Sequence, residues 1–217
     1  MDIKQARKNV IEQQVRPWGG LNVKANQALS DVPRENFVPE AYQKLIFADI
    51  EIPLNETDKM LSPKIEGRIL DSLDLQGHED VLEISTGSGY FTSVLAILSN
   101  SVTSIEADKD LYNLAKEKIK KLKLKNIILR NESFLASNFD NKQFDAVIFS
   151  CALPAIDDNL KNLLKPGGKL FAVVGSKNHM HATLVTRLND NKWKSKSLFE
   201  THLDFMKGTE PSVKFTF

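Results

Sequence analysis

A chain of 217 residues is long enough for one α/β domain with a sizeable core and too short for two comfortable ones, so a single domain is expected over 1–217. Its 29 basic and 28 acidic residues nearly cancel, which leaves no long-range field to draw it to nucleic acid or to a membrane surface. The lone cysteine, Cys151, excludes an internal disulfide, no apolar run approaches the roughly 20 residues of a membrane span, and the polar opening has no signal-peptide core; a cytoplasmic setting is expected.

In chain order, "DIKQARKNVIEQQV" carries Ile3, Ala6, Val10 and Ile11 at helical spacing and stops at Arg16-Pro17-Trp18-Gly19-Gly20. "NVKANQALSDV" and "PEAYQKLIFA" read as second and third helices, so 1–65 forms a helical, loop-rich region on the substrate side. Ser62-Pro63-Lys64 then opens a helix whose Ile65, Ile69, Leu70 and Leu73 share one face. From Asp80 the pattern changes. "DVLEIS", "SVTSIEAD", "NIILRNES", "FDAVIFS" and "KLFAVVG" are short, β-branched and almost continuously apolar, as strands of a parallel sheet buried on both faces are. The segments between them have helical periodicity, which predicts a doubly wound, Rossmann-like α/β core over 66–175. In 176–217, "NHMHATLVTRLND" reads as a helix and "KWKSKSLFETHLDF" as antiparallel edge strands.

The segment "DVLEISTGSGYFTSVLAI" ends a strand in a Gly-Ser-Gly turn and runs straight into a helix, which is where open α/β sheets bind ligands. Gly87 and Gly89 let the backbone approach a ligand, and the helix N-terminus offers free N–H groups. Glu106 ends the next strand, where a carboxylate can hold both hydroxyls of a ribose. A nucleoside ligand follows. Read as G-x-G-x-x-G, the run reaches Thr92 where the third glycine belongs, which disfavours a dinucleotide, and no P-loop occurs. Glu83 suits an ammonium and would repel a phosphate. Ribose and ammonium together indicate S-adenosyl-L-methionine.

"VLEISTGSGY", "SVTSIEAD", "FDAVIFSCALPAI" and "LKPGGKLFAVVG" resemble the class I S-adenosylmethionine-dependent methyltransferases over 66–175. With "IEQQVRPWGG", "ALSDVPRENFVPEAY" and "ADIEIPL", the chain more narrowly resembles the protein-L-isoaspartate O-methyltransferase family along nearly its whole length. That resemblance implies a repair enzyme that methylates the α-carboxylate of isoaspartyl residues in proteins, giving an ester that cyclises to succinimide. It implies that Glu83, Ser85, Thr86, Gly87, Gly89 and Tyr90 line the methionine end of the cofactor site, that Glu106 and Ala107 hold the ribose, and that Glu132 and Ser133 flank the adenine.

Three departures stand out. Ser85 occupies a glycine position of the family, and Asn131-Glu132-Ser133 replaces a Gly-Asp-Gly. Where the family has Thr-Ile-Ser-x-Pro, this chain has Lys59-Met60-Leu61-Ser62-Pro63, so Leu61 stands at the expected active-site serine. Ser62 is then the candidate catalytic hydroxyl, with Met60, Leu61 and Lys64 beside the substrate, although Ser62 before Pro63 also fits a helix N-cap. A sulfonium is already an activated electrophile and a carboxylate is ionised at pH 7, so no general base is required. Two classes remain: an isoaspartyl methyltransferase, or a methyltransferase-like protein with another acceptor or a binding role, with Leu61 separating them. His179, His181 and Cys151 supply too few ligands at known spacing for a metal site, "KEKIKKLKLK" reads as a solvated helix face, and Trp18 and Phe37 read as packing anchors.

Overall fold

The computed structural model describes residues 2–18, 21–139 and 142–210; Gly19 and Gly20 of the expected helix stop, and 211–217 of the expected C-terminal region, lie outside the described residues. The chain opens with α1 (Ile3–Val10), capped by Asp2, whose carboxylate accepts from the N–H groups of Lys4 and Gln5. The helical pattern continues to Trp18 but changes pitch, through a π turn at Ile11–Val15 and a 3-10 turn at Arg16–Trp18. After α2 (Val23–Asp31), the expected third helix is only a 3-10 segment, Glu40–Leu45, with no side-chain cap. Two short strands that the sequence reading lacked, β1 (Ile52–Pro53) and β2 (Lys59–Met60), then pair antiparallel around a turn in which Asn55 Oδ1 accepts from the N–H groups of Thr57 and Asp58.

α3 (Pro63–Leu73) leads into β3 (Asp80–Ile84), α4 (Tyr90–Leu98), β4 (Ser101–Glu106), α5 (Lys109–Lys121) and β5 (Ile127–Asn131). β6 (Phe144–Leu153), α6 (Asp158–Asn162), β7 (Leu164–Ser176), β8 (His179–Asn189) and β9 (Lys192–Glu200) complete the fold. The seven strands from β3 onward form one sheet in the order β5-β4-β3-β6-β7-β8-β9. The first five are parallel neighbours, and β8 and β9 are added antiparallel. Apolar clusters fill both faces: Ile69, Leu95 and Phe171 belong to one, Leu82, Phe149 and Leu164 to the other. This is the predicted doubly wound sheet. Helix α6 is shorter than expected because Leu164 already pairs with Phe144, drawing the chain into β7. As expected, α5 buries Leu111, Ala115 and Ile119 and turns most of its lysines outward, but Lys118 is half-buried and donates to the Phe37 carbonyl at 2.7 Å.

The helix expected over "NHMHATLVTRLND" is overturned: these residues form β8, joined to β7 and to β9 by two-residue turns at Lys177–Asn178 and Asp190–Asn191. Met180, Ala182 and Val185 are all buried, on both faces of the sheet, and a strand covered on both sides has an apolar pattern that helical spacing imitates. Thr183, Val185 and Thr186, β-branched and consecutive or nearly so, were the local sign of a strand. Of the edge strands expected over 192–205 one forms, β9 at 192–200, and its Lys192, Lys194 and Lys196, at every second residue, share one face of the outermost described strand.

The N-terminal region docks on α3 through Gly67, where an added Cβ would overlap Val15 Cγ1. Alanine is the better helix former by about 1 kcal/mol, but the overlap falls on a stiff β-branched side chain in a buried contact. Gly67→Ala is therefore expected to lower stability by about 1–3 kcal/mol, read as a reduced midpoint in urea unfolding.

Candidate functional site

A cleft of about 550 Å³ opens at the C-terminal ends of the parallel strands, within the size range of small-molecule sites. Glu83, Ser85, Thr86 and Gly87 line it from β3 and its turn, Glu106 from the end of β4 and Ala107 just after it, and Glu132 and Ser133 from the segment after β5. Ser150 and Cys151 of β6 form its floor side, and Asp58, Lys59, Met60 and Leu61 of the hairpin face it from the N-terminal region.

The turn after β3 is held by β4. The N–H groups of Ser85 and Thr86 both donate to the Ile105 carbonyl, at 2.9 and 3.2 Å, and the Thr86 and Ser104 hydroxyls are 2.6 Å apart. Glu106 uses both carboxylate oxygens on backbone: Oε2 accepts from Gly87 N–H at 2.8 Å and Oε1 from Asp108 N–H at 2.9 Å. Burial raises the Glu106 pKa against these two hydrogen bonds. Each oxygen keeps a further lone pair for a ligand hydroxyl. Ser85 has φ +72°, a left-handed conformation that costs a non-glycine residue about 1–2 kcal/mol. Gly87 has φ +55° and lines the cleft. Gly89 does not: at φ +82° it starts α4, and an added Cβ would stand 3.0 Å from Ala115 Cβ, so its small size serves helix packing.

Two carboxylic acids lie fully buried beside the cleft. Glu83 Oε2 accepts from the hydroxyls of Thr92, at 2.5 Å, and Ser104, at 2.7 Å, while Oε1 has no protein partner. Burial pushes the Glu83 carboxyl up to about 8, against those two hydrogen bonds. Glu66 of α3 pairs with Arg34, Nη1 to Oε2 at 2.5 Å, and its Oε1 is likewise unpaired. The Arg34 guanidinium also donates to the Leu61 carbonyl at 2.6 Å and lies 4.8 Å from the Tyr90 ring centre. Burial opposes the charge on Arg34, but Glu66 and Tyr90 outweigh it and hold the guanidinium ionised; burial raises Glu66 despite Arg34.

Ser62, Lys64, Gly89 and Tyr90 of the sequence-derived set stand outside the cleft lining. Ser62 is buried at the N-cap position of α3, with Pro63 next, but its hydroxyl makes no capping bond. Asp49 caps the helix instead: Oδ1 accepts from Lys64 N–H at 3.0 Å, and Oδ2 lies 3.2 Å from Lys64 Nζ. Trp18, expected to be a packing anchor, is 56% exposed beneath that ammonium, whereas Phe37 is buried edge-on against Tyr90. Cys151 is buried, as expected of a core residue, and also lines the cleft.

The model of the protein-L-isoaspartate(D-aspartate) O-methyltransferase family matches residues 5–206. The chain belongs to this family. A protein-L-isoaspartate O-methyltransferase of Syntrophus aciditrophicus is 34% identical over 87% of this chain and 86% of its own length. One of Petrotoga mobilis is 32% identical over 89% and 92%. A Plasmodium falciparum structure assigned to the same activity, in complex with S-adenosyl-L-homocysteine, covers 93% of this chain and 98% of its own, with a TM-score of 0.79 at 21% identity, a likeness of fold.

Within this isoaspartyl methyltransferase-family chain, the sequence reading missed the wall formed by Leu203–Lys207. Ala152 N–H donates to the Asp204 carbonyl and Met206 N–H to the Ala152 carbonyl, both at 2.8 Å, which lays that segment along the end of β6. Lys59 reaches across to it, 2.7 Å from Asp204. The hold of Arg34 on Leu61 was also missed. Neither has a local signal, since the partners are far apart in the chain.

Glu83 supplies a test of the site's electrostatics. Its folded pKa, about 8, exceeds the usual 4.5, so the native state keeps a proton that the unfolded chain has lost between those values. Its contribution to stability is complete below the lower value and falls as pH rises through the upper one. Urea unfolding of the ligand-free protein from roughly pH 5 to 9 should show stability declining with pH, and Glu83→Gln should flatten that decline, leaving the part due to Glu66.

Proposed function

We infer that this chain methylates the α-carboxylate of L-isoaspartyl residues in proteins and peptides, with S-adenosyl-L-methionine as methyl donor. The reading rests on family membership, and one feature of the cleft carries its cofactor part. A buried Glu83 oxygen without a protein partner sits at one end, and Glu106, with spare lone pairs, at the end of the adjacent strand. An ammonium at the first and a ribose diol at the second would satisfy both, so the residues present fit the group. Glu132 and Ser133 then border the base, and Ser85, Thr86 and Gly87 the methionine portion.

When bound, S-adenosyl-L-methionine supplies a methyl group on a positively charged sulfur. The acceptor carboxylate is already ionised, so the chain's work is to align it and to exclude water. The hairpin and the 203–207 wall are placed for this, with Lys59 the cation at their junction. The lone, free thiol of Cys151 needs no oxidising compartment and supports a cytoplasmic setting; among the described residues no helix is long and apolar enough to cross a membrane.

A methyl-transfer assay on an isoaspartyl peptide and its aspartyl twin tests the function: the first should be methylated and the second not. Calorimetry with S-adenosyl-L-homocysteine tests the cofactor end, where Glu106→Ala should weaken binding at least about tenfold, and equal affinity would remove Glu106 from the site. At the acceptor end, Leu61→Ser should raise the isoaspartyl rate by about ten- to a hundredfold by restoring a charge-assisted hydrogen bond. Ser62→Ala should leave the rate nearly unchanged; if it abolishes methylation, Ser62 is the functional hydroxyl.

A further inference from the structure

We propose that His179, His181 and Glu200 bind a divalent transition-metal ion of the zinc class at the open end of the β8–β9 pair. Two residues apart on one strand, the histidines point to the same side, and Glu200 lies directly across from His181 in the β8–β9 register. One ligand atom from each of the three falls within 4.8 Å of the others, and no other trio of such ligands exists among the described residues. The two Nε2 atoms are 2.8 Å apart and share a hydrogen bond in the absence of metal.

A cation 2.0–2.1 Å from both nitrogens in tetrahedral geometry needs them about 3.3–3.4 Å apart, an opening of about half an ångström that exposed side chains can make. Two imidazoles and one carboxylate select zinc, cobalt, nickel or copper over magnesium and calcium, which take oxygen ligands. The site lies outside the cleft lining. Its place is nevertheless consequential: Thr201 N–H donates to the Met180 carbonyl just beyond Glu200, and the chain then runs into Leu203–Lys207, the wall of the cleft. Metal would fasten the root of that wall to β8. The site does not depend on the methyltransferase reading.

The test is titration of the chelator-treated full chain with zinc chloride by calorimetry. Saturable one-to-one binding with a Kd on the order of micromolar is expected, weakened at least tenfold in His179→Ala, His181→Ala and Glu200→Gln, unchanged in His78→Ala, and absent with magnesium. Imidazole proton NMR of the unmutated protein should show zinc perturbing His179 and His181 but not His78, which keeps the test decisive if a variant folds poorly. Absence of saturable binding, equal binding by His181→Ala, or perturbation confined to other histidines would overturn the site.

Discussion

The buried guanidinium of Arg34 is the tie on which the arrangement around the cleft depends. It meets the Glu66 carboxylate of α3, the Leu61 carbonyl before that helix and the Tyr90 ring at the start of α4, so one side chain ties the hairpin segment and two helices together. A charge taken out of water is tolerated only with such partners, and stranding Glu66 without its cation would cost about 3–5 kcal/mol. The position of the β1–β2 hairpin follows, because Arg34 holds the Leu61 carbonyl while Leu61 lines the cleft.

The cofactor side is organised differently, by backbone. Glu106 anchors the Gly87 and Asp108 N–H groups, so an acid that lines the cleft also holds the turn in shape. Ser85 shows what that turn demands. The chain accepts a serine in a left-handed conformation, because the paired N–H groups of Ser85 and Thr86 on Ile105 leave no other course. A glycine would relieve the strain and remove a side chain that lines the cleft.

What could be read in the sequence was whatever is encoded locally. The strand-turn-helix around Gly87, the acid ending β4 and the apolar runs of the parallel strands are each specified within a dozen residues. Strand β8 was misread because burial on both faces removes the alternation that marks a strand, and short apolar runs then match both periods. The Asp49 cap was illegible for another reason: Ser62-Pro63 has the form of a capped helix start, and only the folded chain brings a distant carboxylate to do the capping. Arg34 with Leu61, and Glu200 with the histidines, are likewise products of tertiary pairing that no spacing rule contains.

The lysines of β9 bear on how such a molecule survives its own work. A sheet that ends, among the described residues, in an unpaired strand offers a template to any extended segment that meets it, an unfolded stretch of another protein included. Lys192, Lys194 and Lys196, at every second residue, crowd one face of that strand with positive charge, so an added strand would have to lay its side chains beside a row of hydrated ammonium groups. That charged face thus separates two kinds of encounter: a damaged chain can present its carboxylate to the cleft, while growth of the sheet by strand addition is opposed.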